Sequence, residues 1–219
     1  MVLEKLSLVD RAAHRLRTMI IGATLAPGAR LTEQELSDEM QIGRGTVRAA
    51  LAALATEHLV VRRPYAGWSV KDIDGEVLRD NYEVRGALEE LSARLLTHGL
   101  DAPKREALMA VYDNLVVAEE TGDAEQRIQA DLGFHAWIIK ASGNRLLVRQ
   151  YESLYGQIEW LYRWSEKNWP GRINLLDWHK PIVDAILAND AEGAATAVRA
   201  HTNRSLQDDI RDLQSNPKN

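Results

Sequence analysis

The chain has 219 residues, with 27 Lys+Arg against 32 Asp+Glu and a net charge of −5. That length suits one large domain or two small ones, each with an adequate core. With no Cys in the sequence, disulfides and thiolate metal sites are excluded, so any metal must be held by His and carboxylates. No apolar run approaches the roughly 20 residues of a membrane span. The start, Met1-Val2-Leu3-Glu4, lacks the layout of a signal peptide. A cytoplasmic protein with no membrane partner is expected. The charge is unevenly spread. Up to Ile73 there are 10 basic and 8 acidic residues, and beyond it 17 basic and 24 acidic. A mildly basic head on an acidic body fits a nucleic-acid reader joined to something else.

In chain order, Val9, Ala12, Ala13, Leu16, Met19 and Ile20 recur at helical spacing behind Ser7, a suitable N-cap. Pro27-Gly28 marks a turn. Thr32-Glu33-Gln34-Glu35 has the form of a capping box and opens a short helix with Leu36 and Met40 inward. The link Gln41-Ile42-Gly43 is tight. A third helix, from about Arg44 to Glu57, buries Val47, Ala50, Leu51 and Leu54. Two short helices joined this way form a helix-turn-helix. The second presents Arg44, Gly45 and Arg48 outward, with the two arginines four apart on one side. Gly43 and Gly45 keep the helix start slim for a phosphate, and Arg suits bidentate contact with guanine. Residues 59–63 and 67–71 are β-prone runs around Pro64-Tyr65-Ala66, a hairpin with Arg62 and Arg63 near its tip.

After a short linker from Lys71 to Gly75, a 3.6-residue period dominates. Breaks near residues 99–103, 121–123, 142–144, 169–171 and 189–190 delimit about six helices, an all-α bundle. Domains are therefore expected at 1–73 and 74–219, in a mainly α protein. Within the bundle Asp131 and His135 are four apart on one helix face. His179 sits near an apolar stripe that includes Trp178, Ile182 and Val183, and His201 lies in the last helix. Three histidines and an aspartate suit a borderline divalent ion, zinc first, with Ni, Fe, Co or Mn as alternatives. Spacing alone leaves open whether the three helices converge. A lone His on an apolar face is more often a satisfied core residue.

The stretch from Leu25 to Val70 resembles the GntR family of bacterial repressors. The likeness rests on Pro27-Gly28, Leu31-Thr32-Glu33, Glu35-Leu36, Arg44, Thr46-Val47-Arg48, Ala50-Leu51, Leu54, Leu59-Val60, Arg62 and Gly67. The family often has Ser, Glu and Gly where this chain has Gly43, Ala49 and His58, so no operator sequence carries over. The C-terminal half resembles the FCD ligand-binding domain of the FadR subgroup. The matching marks are Tyr82-Glu83-Val84-Arg85, Leu88-Glu89, Asp131 through His135, Ala141-Ser142-Gly143-Asn144, Leu147, His179 with Ile182, and His201.

What the resemblance implies is a winged helix-turn-helix followed by an all-helical FCD-like bundle. A divalent metal would sit on Asp131, His135, His179 and His201, with Arg85 meeting the carboxylate of a small effector. Arg163 is a second candidate for that contact, and the alternative for Arg85 is a helical ion pair with Glu89. Trp160, Tyr162 and Trp164 are candidates to wall the same pocket. Arg44, Gly45, Thr46, Arg48, Arg62 and Arg63 would meet a pseudo-palindromic operator. The expected function is a homodimeric transcription regulator, a repressor, controlled by that effector. An all-α metal-dependent hydrolase with a DNA-binding head is the alternative.

Overall fold

The computed structural model describes residues 7–172 and 174–215; the Met1-Val2-Leu3-Glu4 start lies outside them. The chain divides into two compact units. One comprises Met1–Ile73 with Ser153–Arg163, the other Asp74–Glu152 with Trp164–Asn219.

In the first unit, α1 (Leu8–Ile21) opens on a reciprocal cap. Ser7 Oγ accepts the Asp10 N–H and the Asp10 carboxylate accepts the Ser7 N–H, both at 3.1 Å. This satisfies donors that a helix start leaves orphaned. α2 (Glu33–Met40) and α3 (Arg44–Thr56) follow, and the chain turns between them through Gln41, left-handed at φ 55°. Thr32 occupies the N-cap of α2, but its hydroxyl caps nothing, so the capping box expected there does not form. Leu16, Ile20, Val47, Leu51 and Leu54 are fully buried where the helices meet. Each such side chain contributes about 1.5–3 kcal/mol relative to exposure.

The hairpin of β2 (Val60–Arg63) and β3 (Gly67–Val70) pairs in antiparallel register, Val60 opposite Val70 and Arg63 opposite Gly67. Leu59, Val60, Trp68 and Val70 face inward. A further strand, β1 (Arg30–Leu31), pairs with the other edge of β3 and gives the order β1-β3-β2. The sequence pattern does not predict it, because two residues are too few to show a period of two.

The second unit is built from α4 (Gly75–His98), α5 (Ala102–Thr121), α6 (Ala124–Ala141), α7 (Arg145–Asn168), α8 (Leu175–Leu187) and α9 (Ala191–Ser215). The middle of α7 groups with the first unit and its two ends with the second. The helix boundaries expected from the sequence appear as side-chain caps. Asp74, Asp101, Asp123, Asn144 and Asn174 each accept backbone N–H groups at the starts of α4 to α8. α4 packs along α9, and α8 lies against α9 as well, while α5 packs on α6 and α8. Gly86 permits the close approach of α4 and α9, since a Cβ there would come within 3.0 Å of Thr202 Oγ1. Among the described residues no helix is long and apolar enough to cross a membrane.

One buried carboxylate ties this unit together. Asp209 on α9 is wholly inaccessible. It accepts from the Tyr82 hydroxyl of α4 at 2.8 Å, the Ser165 hydroxyl of α7 at 2.7 Å and the Arg172 guanidinium at 2.5 Å. A buried charge is tolerated when its lone pairs are filled in this way, and removing it strands its partners. Asp209→Asn is expected to lower unfolding stability by about 3 kcal/mol, measured by urea denaturation; a variant as stable as the parent would show that these contacts carry no net stability.

Candidate metal centre and nucleic-acid interface

Three helices of the second unit bring their histidines together. His135 of α6, His179 of α8 and His201 of α9 are all buried, and each offers a nitrogen within 4.8 Å of the others. The rings lie 4.7–5.1 Å apart, centre to centre. Asp131, one turn before His135, places Oδ1 3.0 Å from His179 Nε2. The three histidines thus come together as one group, with Asp131 beside His179 at its edge, a convergence that their spacing in the sequence left open.

Proton positions test whether this place fits a cation. His179 Nδ1 lies 2.7 Å from the Leu175 carbonyl oxygen, which only accepts, so Nδ1 carries a proton and Nε2 of the neutral ring presents a lone pair. That Nε2 faces the Asp131 carboxylate and, at 3.2 Å, His135 Nε2. His135 Nδ1 lies 3.0 Å from Glu89 Oε2. A proton belongs between those two atoms, which leaves His135 Nε2 a lone pair as well. His201 adds a buried Nδ1 with no partner. Acceptors therefore face acceptors, and one positive charge among them relieves the repulsion. At His135 and His201, protonation is the costly way to supply it. Burial pushes His135 down, against the pull of Glu89. It pushes His201 well down, helped by His179, His135 and Arg85. A divalent ion on Asp131, His135, His179 and His201 fits the donor set, which contains only nitrogen and oxygen.

The carboxylates stay ionised. Burial would raise Asp131, but a hydrogen bond from His179 when that ring is protonated, with the positive charges of His179, His135 and Arg85, outweighs it and holds the group at about 2. Burial of Glu89 is likewise overcome, by Arg85 and His135, and its carboxyl lies well below the usual range.

Glu89 is the residue whose reach the sequence concealed. Its i,i+4 pair with Arg85 was one of two readings of Arg85, and it forms, Nε to Oε1 at 2.6 Å, with both side chains buried. The same carboxylate also meets His135 and, at 3.4 Å, the Tyr151 hydroxyl of α7. The pair does not exhaust Arg85, whose Nη2 is buried without an acceptor. Arg163 forms an i,i+4 ion pair with Glu159 at 2.8 Å, within the segment of α7 that groups with the other unit. Trp160, Tyr162 and Trp164 are buried, Trp164 edge-on to Trp169.

In the first unit, Arg44 is exposed at the start of α3 with no ion-pair partner among the described residues. A Cβ on Gly43 or Gly45 would meet nothing within 4 Å, so packing does not demand glycine at either position and the helix end is left bare. Thr46 follows, its N–H bonded to the Gly43 carbonyl. Arg48 is also exposed, but its guanidinium edge is taken. Nε and Nη2 meet Glu33 at 2.9 and 2.7 Å, and Trp68 Nε1 donates to the same carboxylate at 3.1 Å. The Arg48 hydrogen bond, against a small effect of burial, holds Glu33 at about 2. In the wing, Arg62 lies over the Trp68 ring and Arg63 pairs with Asp72 at 2.7 Å.

A carboxylate that orients a ligating imidazole typically changes metal affinity by 10–100-fold. Glu89→Gln is therefore expected to weaken metal binding by about that factor, and His179→Ala to abolish stoichiometric loading. Chelator competition on the purified protein measures both. Unchanged affinity in Glu89→Gln would leave Glu89 as the counter-ion of Arg85 alone.

Residues 8–70 match the gntR family of bacterial regulatory proteins, and residues 80–204 match the FCD domain. The HTH-type transcriptional regulator BphR of Paraburkholderia xenovorans is 30% identical over 207 residues, covering 91% of this chain and 84% of that protein. A protein of Escherichia coli K12 named for regulation of the L-lactate dehydrogenase operon is 27% identical over 218 residues, 89% of this chain and 83% of that one. The solved structure of E. coli McbR/YncC superposes with a TM-score of 0.72 at 21% identity, covering 93% and 97% of the two chains, and shows the shared fold. The relatives are DNA-binding regulators, and the hydrolase alternative finds no support among them. The chain is a transcription regulator, not an enzyme, and belongs to the GntR family with a C-terminal FCD domain.

Proposed function

We propose that this regulator binds a pseudo-palindromic operator as a homodimeric repressor in the cytoplasm, and that a small carboxylate bound beside a metal in the FCD domain alters operator affinity. The observation that carries the effector half is the pairing, in one buried place, of a cation-fitting donor set with Arg85, whose Nη2 has no acceptor. A metal bound there would supply a fixed positive charge against which an anion can be held. Arg85 supplies the planar fork that fits a carboxylate, already steadied by Glu89 on its other edge. The E. coli relative named for an L-lactate dehydrogenase operon is in keeping with an acid as effector.

For the DNA half, Arg44 is the residue best placed to read a base, because its guanidinium is uncommitted. Arg48 contributes once it is released from Glu33. Gly45 and Thr46 lie against phosphate, and Arg62 and Arg63 add charge from the wing. A lone winged helix makes too small an interface for tight specific binding, so two copies act together. On α4, Val84 and Leu91 are exposed, with Leu88 and Leu95 half-buried between and beyond them. This apolar stripe suits a second copy of the chain.

Two tests separate the halves. With an operator selected by the wild-type protein from a random duplex library, Arg44→Ala is expected to cost about 1–3 kcal/mol and relax one position. Arg62→Ala should weaken all sequences alike and flatten the salt slope. Wild-type binding by Arg44→Ala would overturn the assignment of the recognition helix. Arg85→Ala should weaken a carboxylate effector at least tenfold by calorimetry while leaving metal content and unliganded DNA binding intact. Unchanged effector affinity would remove Arg85 from the site.

A further inference from the structure

α4 carries a polar stripe into the interior of its unit. Asn81, Arg85 and Glu89 follow one another at intervals of four and are 7%, 4% and 1% exposed. Side chains at that spacing share a helix face. Glu89 Oε1 accepts from Arg85 and from the Tyr151 hydroxyl, and Oε2 lies 3.0 Å from His135 Nδ1. The other two keep a free donor each. Asn81 Nδ2 and Arg85 Nη2 are both buried, and neither meets an acceptor.

An unsatisfied buried donor is a standing cost, and an apolar residue of the same size would remove it. Two such donors on adjacent turns of one helix, the helix that carries Glu89 against His135, are left to meet oxygen atoms that the chain itself does not supply. The two positions are separated by one turn, about 6 Å along the helix axis. Their chemistry differs. Arg85 brings a positive charge, while Asn81 is neutral. A carboxylate can be desolvated against Arg85, but a second carboxylate against a lone amide would be a buried charge without a counter-ion. The charge of Arg172 is already balanced by the carboxylates of Asp209 and Asp212, although its Nε meets no acceptor. A hydroxyl or carbonyl oxygen is what a neutral amide donor can satisfy.

We infer that Asn81 is a specificity residue of the effector site, reading a neutral oxygen on the chain of an acid whose carboxylate meets Arg85. The effector is accordingly a hydroxylated or oxo monocarboxylate of the sugar-acid type, rather than an alkyl acid or a dicarboxylate. This rests on the carboxylate reading of Arg85 given above.

The test uses the full chain reconstituted with Zn(II) and three six-carbon acids: gluconate, hexanoate and adipate. Calorimetry on the wild type should rank gluconate at least tenfold tighter than either of the others. Asn81→Leu should bring gluconate down to the level of hexanoate, leaving hexanoate affinity and zinc content unchanged. Asn81→Asp, which keeps the size but trades the donor for an acceptor, should lose gluconate as well. Without ligand, Asn81→Leu should melt at or above the wild-type temperature. A fall of more than about 5 °C (some 1 kcal/mol in a domain of this size) would show that the amide holds the fold, and would overturn the inference. So would wild-type binding with no preference for gluconate, or a preference that survives Asn81→Leu. If none of the three acids binds the zinc-loaded wild type, the carboxylate reading itself falls, a result distinct from loss of the Asn81 role alone.

Discussion

Lone pairs confront one another at the heart of the C-terminal unit, and much of the local design follows from that conflict. His179 spends its only N–H on the Leu175 carbonyl, and a carboxylate occupies the Nδ1 side of His135. What remains on the inner side is acceptor against acceptor, at 3.0 and 3.2 Å. Positive charge relieves the conflict, and at His135 and His201 burial disfavours its entering as a proton. The surroundings favour the states in which these side chains could accept a metal. Glu89 fixes a tautomer, Arg85 fixes Glu89, and Tyr151 touches the same carboxylate. With no thiol in the chain, the donors are nitrogen and oxygen throughout.

The helices that carry these groups are held by polar contacts as well as by apolar packing. Asp209 joins α4, α7 and the segment before α8 to α9 through Tyr82, Ser165 and Arg172. Gly86 lets α4 and α9 approach closely. Because His201 lies on α9 and Arg85 and Glu89 on α4, this pairing also sets how the last imidazole stands relative to the guanidinium. A small shift between the two helices would move His201 relative to Arg85, and in the function proposed above this one interface would couple metal and anion.

Much of this was legible in the sequence because it is local. Caps, turns and helical periods lie within a few residues of each other, so Ser7, the helix breaks and the helix-turn-helix could be read directly. The candidate ligands could be named, but their convergence depends on how α6, α8 and α9 pack, which periodicity does not encode. Glu89 illustrates the limit. Its i,i+4 relation to Arg85 is visible in the sequence, whereas its contacts with His135 and Tyr151 span 46 and 62 residues. Glu33 was hidden differently. It sat inside an apparent capping box around Thr32, yet it is drawn to Arg48 and Trp68, and the hydroxyl of Thr32 caps nothing. The two-residue strand β1 left too short a trace to be recognised.

The Glu33–Arg48 pair bears on how such a protein diversifies. An anionic side chain already occupies the guanidinium, so nucleic acid that reaches Arg48 must compete with a tenant belonging to the protein. Substitution at Glu33 would change the terms of that competition without altering any residue that faces the groove. Related chains could therefore drift to new operators, or to looser ones, while their recognition helices remained identical in sequence, and comparing those helices alone would miss the change.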